Sequence, residues 1–205
     1  EIRTDRLWSW VARQSGKLLP VRTDECGRPT VELKVPVGML LNTSLEVSEI
    51  IHHYRACLDG LVYSALPDGC SEAQRGDSAF TIHAVQSKFK KLQKKQGGHL
   101  PISLRSYCRS LMPFVHSLGT GSPLFLLHEL NRLDKHRILP LQVPALAPGL
   151  HPVKDDPSQT GFAFYLAFDD SCPAAAHMPV FRVLEDIDAT VKEVITRFEA
   201  ELRPR

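Results

Sequence analysis

Apolar positions along the chain fall into blocks of helical period, separated by shorter stretches that alternate. Val47, Ile50, Ile51, Tyr54, Leu58, Leu61 and Val62 recur every three or four residues, which puts them on one stripe of a helix. Thr43 with Glu46 three residues on matches a capping box, so this helix is expected to begin near Thr43 or Ser44 and to end at Pro67, Asp68 and Gly69. A polar loop to about Ser78 follows, then a short strand from Phe80 to Val85. A second helix is expected from Pro101 to about Leu111, ahead of Pro113. The third has Ser122 as N-cap, Pro123 in its first position and the stripe Leu126, Leu130 and Leu133, with Pro140 beyond its end. The last spans about Asp186 to Leu202, with Ile187, Val191, Val194, Ile195, Phe198 and Leu202 on one side. Its acidic start, Glu185, Asp186 and Asp188, suits the positive end of the helix dipole.

Elsewhere the period is two. After a turn at Asp24, Glu25, Cys26 and Gly27, the residues Val31, Leu33, Val35 and Val37 alternate with Glu32, Lys34 and Pro36, which reads as a β-hairpin with an edge strand. Phe162, Phe164, Leu166 and Phe168 form another alternating run, with Pro179 to Val183 as a strand beside it. The Pro-, Gly-, Ser- and Asp-rich stretch from Pro144 to Gly161 is expected to be a long loop. Leu7, Trp8 and Val11 suggest a short N-terminal helix ending near Gly16. No internal repeat supports a solenoid.

The expectation is therefore a single α+β domain over residues 1–205, with a helical core and small antiparallel hairpin and sheet elements. A chain of 205 residues with 43% hydrophobic content can fill one core. No stretch of about 18 apolar residues occurs, so no membrane-spanning helix is expected. Cys26, Cys57, Cys70, Cys108 and Cys172 are odd in number and lack a C-x-x-C pair, which favours a reducing, cytoplasmic setting over a disulfide framework. Opening on Glu1 rather than Met, the sequence is also compatible with a removed N-terminal segment, a signal peptide included.

A formal net charge of +2 gives no strong positive field over the whole molecule. The charge is uneven, however: Lys88, Lys90, Lys91, Lys94 and Lys95 lie close together, around Phe89 and Leu92. A solvated face and a phosphate-binding strip both fit this run.

There is no Gly-rich phosphate loop, no G-x-S-x-G elbow and no H-E-x-x-H, which removes support for nucleotide-dependent transfer, ordinary serine hydrolysis and zincin chemistry. No cofactor is implied. Of nine His, only His52 and His53 are adjacent, so a metal site would need ligands from distant segments. Two polar clusters on apolar helices are more informative. His52, Arg55 and Asp59 share one face of the first strong helix. Asn131, Asp134, Lys135, His136 and Arg137 close the third, with Arg137 on its apolar stripe. If the helices pack together, Arg55 is expected to meet Asp134, and Asp59 to accept from His136 or Arg137. Such charges are either a paired network that fixes helix register or an acid/base or anion-binding centre; exposure to water is the third option.

The segment Ile50 to Asp59, followed by Leu127 to Arg137, resembles a family of uncharacterised bacterial proteins that pair an Arg-x-x-x-Asp helix with a later Asp-Lys-His-Arg helix. That resemblance implies the same order of elements and carries no activity with it. A more distant resemblance is to HEPN domains, helical bundles that include metal-independent ribonucleases acting through an Arg and a His separated by four to six residues. Arg55 would be that Arg, but Gly60 stands where the His is required. Arg109 and His116 also satisfy the spacing, with Pro113 breaking the helix between them.

Two functions are carried forward. One is a non-catalytic interaction domain in which Arg55, Asp59, Asp134 and His136 form a structural network. The other is a HEPN-type ribonuclease with Arg55 on phosphate and His136 as acid or base. An RNA or protein partner and a homodimer stay open.

Overall fold

The computed structural model describes residues 21–23, 29–31, 37–115, 121–135, 139–142, 150–153, 156–162 and 166–202. The N-terminal helix expected around Leu7 and Val11 lies outside them. Six helices are described: α1 (Val37–Ser64), α2 (Glu72–Gly76), α3 (Gln86–Gln96), α4 (Ile102–Ser110), α5 (Pro123–Asp134) and α6 (Val180–Leu202). Three antiparallel strand pairs accompany them: β1 (Val21–Thr23) with β2 (Pro29–Val31), β3 (Leu141–Gln142) with β6 (Ala167–Phe168), and β4 (Leu150–Val153) with β5 (Asp156–Phe162). The architecture is α+β with a helical core.

Helices α1, α5 and α6 pack on one another. The α1 stripe of Val47, Ile50, Ile51, Tyr54, Leu58 and Val62 is buried, as are Leu124, Leu127, Leu130 and Leu133 of α5 and Ile187, Val191, Val194 and Phe198 of α6. All belong to one hydrophobic cluster. Each fully buried side chain of this size is worth about 1.5–3 kcal/mol. The α1–α6 contact is also polar: Tyr54 Oη donates to Asp188 Oδ1 at 2.8 Å, and Lys192 Nζ donates to Asp188 Oδ2 at 2.6 Å.

Several expectations are corrected. Helix α1 starts at Val37, so the expected second strand ends at Val31 among the described residues and Val37 is helical. The apolar stripe already begins at Met39, and Thr43, one turn on, is 1% exposed. Thr43 thus faces the core instead of capping an end. The loop after α1 contains α2, closed by a capping box in which Ser71 Oγ accepts from the Gln74 amide. Phe80 to Val85 is not a strand. Part of the expected loop from Pro144 to Gly161 pairs as the β4–β5 hairpin.

Residues Val180 to Val183 belong to α6, although an isolated bridge joins Pro179 to Ala167. The acidic residues Glu185, Asp186 and Asp188 therefore sit beyond the first turn, which contains no acidic residue. Helices α4 and α5 lie where the sequence put them, with Ser122 at the N-cap and Pro123 next.

Candidate functional site

Arg55 and Asp59 stand one turn apart on α1, a spacing that brings an i and i+4 pair together on a helix surface. Arg55 Nη2 donates to Asp59 Oδ1 at 2.7 Å and Arg55 Nε donates to Oδ2 at 3.2 Å, a two-pronged contact between planar groups. Both residues also reach the segment after α2. Arg55 Nη2 donates to the Phe80 carbonyl at 2.7 Å, and the Phe80 amide donates to Asp59 Oδ1 at 2.8 Å. The amide and carbonyl of one residue are satisfied together, as a neighbouring strand would satisfy them. With these bonds in place Phe80 needs no sheet, which is why the strand expected here does not form.

The ring of Phe80 is 1% exposed and lies 6.4 Å from that of Phe198 on α6. The ion pair on α1 thus holds a backbone segment whose side chain fills the gap beside α6. The Arg55 side chain is 15% exposed and that of Asp59 37%, so the pair forms the outer wall of the core.

The third helix brings a different residue than expected. Asp134, the last residue of α5, is half-buried, and among the described residues nothing joins it to Arg55 or Asp59. Arg55 has a partner on its own helix, and from α5 its positive charge is felt by His128. Asp134 stands six residues further along, about 9 Å down the helix axis. His136 and Arg137 lie outside the described residues. His52 is exposed and tilts against His53, with ring centroids 6.3 Å apart.

Half-buried His128 is held below its ordinary value of 6.5, first by burial and then by the positive charge of Arg55, with His83 and Arg132 adding to the effect and Glu129 opposing it. His83, in the segment after Phe80, accepts the Val85 amide on Nδ1 at 2.9 Å. Arg55 Nη1 is buried without a hydrogen-bond partner, and so is Asn131 Oδ1, one turn after His128. The Arg55–Asp59 pair and His128 thus mark a seam between α1 and α5, with His83 close by.

His128 falls within the Leu127 to Arg137 segment but is given no role there, and Phe80 is singled out only as the start of the expected strand. His128 sits beside Leu127 on the edge of the α5 stripe, a position that binary patterning assigns to either side. The backbone of Phe80 carries no sequence signal. Gly60, about 140° around the helix from Arg55, is exposed with open space around it. Among the described residues no cluster of His, Cys, Asp and Glu could hold a metal ion, and no described helix is long and apolar enough to cross a membrane. Comparison with protein-family models, curated proteins and solved structures returns no match.

Proposed function

We propose that the chain is a non-catalytic interaction domain in which Arg55 and Asp59 are structural. The observation that carries this reading is that both charged groups are already engaged on the Phe80 backbone. A guanidinium reserved for a scissile phosphate would present its paired donors to a cleft, whereas Nη2 of Arg55 is shared between a carboxylate and a carbonyl. Gly60, in place of the histidine of HEPN ribonucleases, supports the same reading.

The competing reading is a metal-independent ribonuclease of the HEPN type. It is favoured by the uncommitted Nη1 of Arg55 and by the charge interaction between Arg55 and His128, an imidazole of general acid/base character. His136, its first candidate for acid or base, is then tested together with His128. The experiment is an RNA-degradation assay on the purified chain and on its Arg55→Ala, His128→Ala and His136→Ala variants, each checked by thermal melting. No degradation, with a lowered melting temperature for Arg55→Ala, is the expected result. Degradation lost on replacing Arg55 and either histidine, in variants that remain folded, overturns the structural reading.

A further inference from the structure

The strongest unassigned feature lies on α3. Taking about 100° per residue, Lys90, Lys94, Lys91, Lys95 and Lys88 follow one another around roughly 160° of this helix, centred opposite Phe89. The structure bears out that division: all five lysines are exposed and Phe89 is fully buried. Phe89 packs on Phe114 with ring centroids 5.3 Å apart, so the helix is anchored with its lysines outward. Lys95 Nζ lies 3.2 Å from Asp77 Oδ1, on the exposed side of both residues. Among the described residues the other four lysines have no carboxylate partner, and α3 contains no acidic residue at all.

Ordinary helix electrostatics does not account for this face. Lys94 and Lys95 in the last turn complement the negative end of the helix dipole, but Lys88 sits in the first turn, where positive charge is unfavourable. Lys90 with Lys94, and Lys91 with Lys95, repeat at like-charge i and i+4 spacing, which works against the helix. A solvated surface normally interleaves the two signs.

We infer that the Lys88, Lys90, Lys91 and Lys94 face of α3 binds the phosphate backbone of a nucleic-acid strand. The chemistry on the face selects that partner. A protein interface needs apolar or aromatic anchors at its centre, and a membrane-surface helix needs an apolar face to insert. Here Phe89 is turned into the core and Leu92 stands at the border, 36% exposed. Phosphates are held by charge alone, without sequence readout. Lysines four residues apart repeat about every 6 Å along the helix, forming parallel rows of like charge for a strand to follow.

The inference rests on the reading of the chain as a binding domain and makes no use of the Arg55 seam. It is tested by fluorescence anisotropy of a labelled 20-nucleotide oligouridylate and of a DNA duplex of similar length, over a range of salt concentrations. The whole chain is compared with a quadruple variant, Lys88→Gln, Lys90→Gln, Lys91→Gln and Lys94→Gln. A second quadruple variant, Arg132→Gln, Arg182→Gln, Lys192→Gln and Arg197→Gln, makes the same change in net charge on α5 and α6, where each cation has a carboxylate partner. Circular dichroism checks the folding of both.

The expected result is binding whose logarithm falls with log salt at a slope near −3 on the single strand, about −0.7 for each of four phosphates. The α3 variant should lose about tenfold or more in affinity and most of the slope, while the α5/α6 variant keeps both. Absence of binding, equal loss in the two variants, or binding of phosphatidylserine vesicles or acidic polypeptide in preference to either nucleic acid overturns the inference and leaves the binding-domain reading intact. Cleavage of the oligouridylate that depends on Arg55 overturns the binding-domain reading itself.

Discussion

Asp59 and Phe80 are joined through one atom: Oδ1 of the carboxylate accepts the Phe80 amide at 2.8 Å while also accepting from Arg55 Nη2 at 2.7 Å. Arg55 completes the circuit by donating to the Phe80 carbonyl. Three groups from two segments therefore depend on one another, and removing any of them strands the rest.

That dependence should be visible in stability. Arg55→Ala is expected to cost about 2 kcal/mol and Asp59→Ala about 1–2 kcal/mol, the lower figure reflecting solvent at the half-exposed carboxylate. In a domain of this size those losses lower the melting temperature by roughly 2–8 °C. The double variant should cost less than the sum by about 1 kcal/mol, since each single change already breaks the shared contact. Additive losses in urea unfolding would separate the two residues.

His128 makes stability depend on pH in a defined direction. Its folded value lies below 6.5, so the unfolded chain takes up the proton first as the solution is acidified. The contribution is fully present above about pH 6.5 and is lost as the pH falls through the lower folded value. His128→Gln should flatten this part of the curve. Because Arg55 is one of the causes, Arg55→Ala should raise the His128 value toward the ordinary one, which an NMR titration of the imidazole ring protons can read. An unmoved titration would mean that Arg55 is not among the causes of the shift.

The tyrosines govern the opposite end of the pH scale. Tyr54 is pushed well above its ordinary value by burial, by its hydrogen bond to Asp188 and by the charge of that carboxylate. Burial, with the charge of Glu193, pushes Tyr107 up to about 12. Groups held neutral in this way stabilise the fold fully below about pH 10 and less as the pH rises toward the folded values. Unfolding free energy should therefore drop between about pH 10 and 12, and drop less in a Tyr54→Phe, Tyr107→Phe variant. Tyr54→Phe alone is expected to cost about 1 kcal/mol at neutral pH.

The helical core was legible because its stripes are long and regular: Ile50, Tyr54 and Leu58, or Val191, Val194 and Phe198, have one arrangement that buries them. Thr43 was misread because Ser and Thr serve equally at caps and inside helices, and the deciding fact is the turn before it, where Met39 is also buried. The Arg55 and Asp59 pair was legible as a pair, since it is local. Its true partner was hidden, because a backbone amide and carbonyl belong to every residue. Among the described residues Arg55 is bonded to Asp59 and the Phe80 carbonyl, and how residues of two helices line up along their axes is something no periodicity measures.

Thr43 supplies a further check, since its Oγ1 is buried without a hydrogen-bond partner. Thr43→Val keeps the shape and removes the stranded hydroxyl, so it should raise stability by about 1 kcal/mol. A loss of similar size would mean that the hydroxyl has a hydrogen-bond partner after all.

Amide hydrogen exchange at Phe80 tests most directly whether the pair on α1 exists to hold this segment. Phe80 should be protected in the native chain, and Asp59→Ala and Arg55→Ala should each speed its exchange about tenfold or more, while the amides of Leu127 and Val194 keep theirs relative to global unfolding. Protection at Phe80 that is unchanged in both variants, with the fold intact, would contradict the structural role given to Arg55 and Asp59.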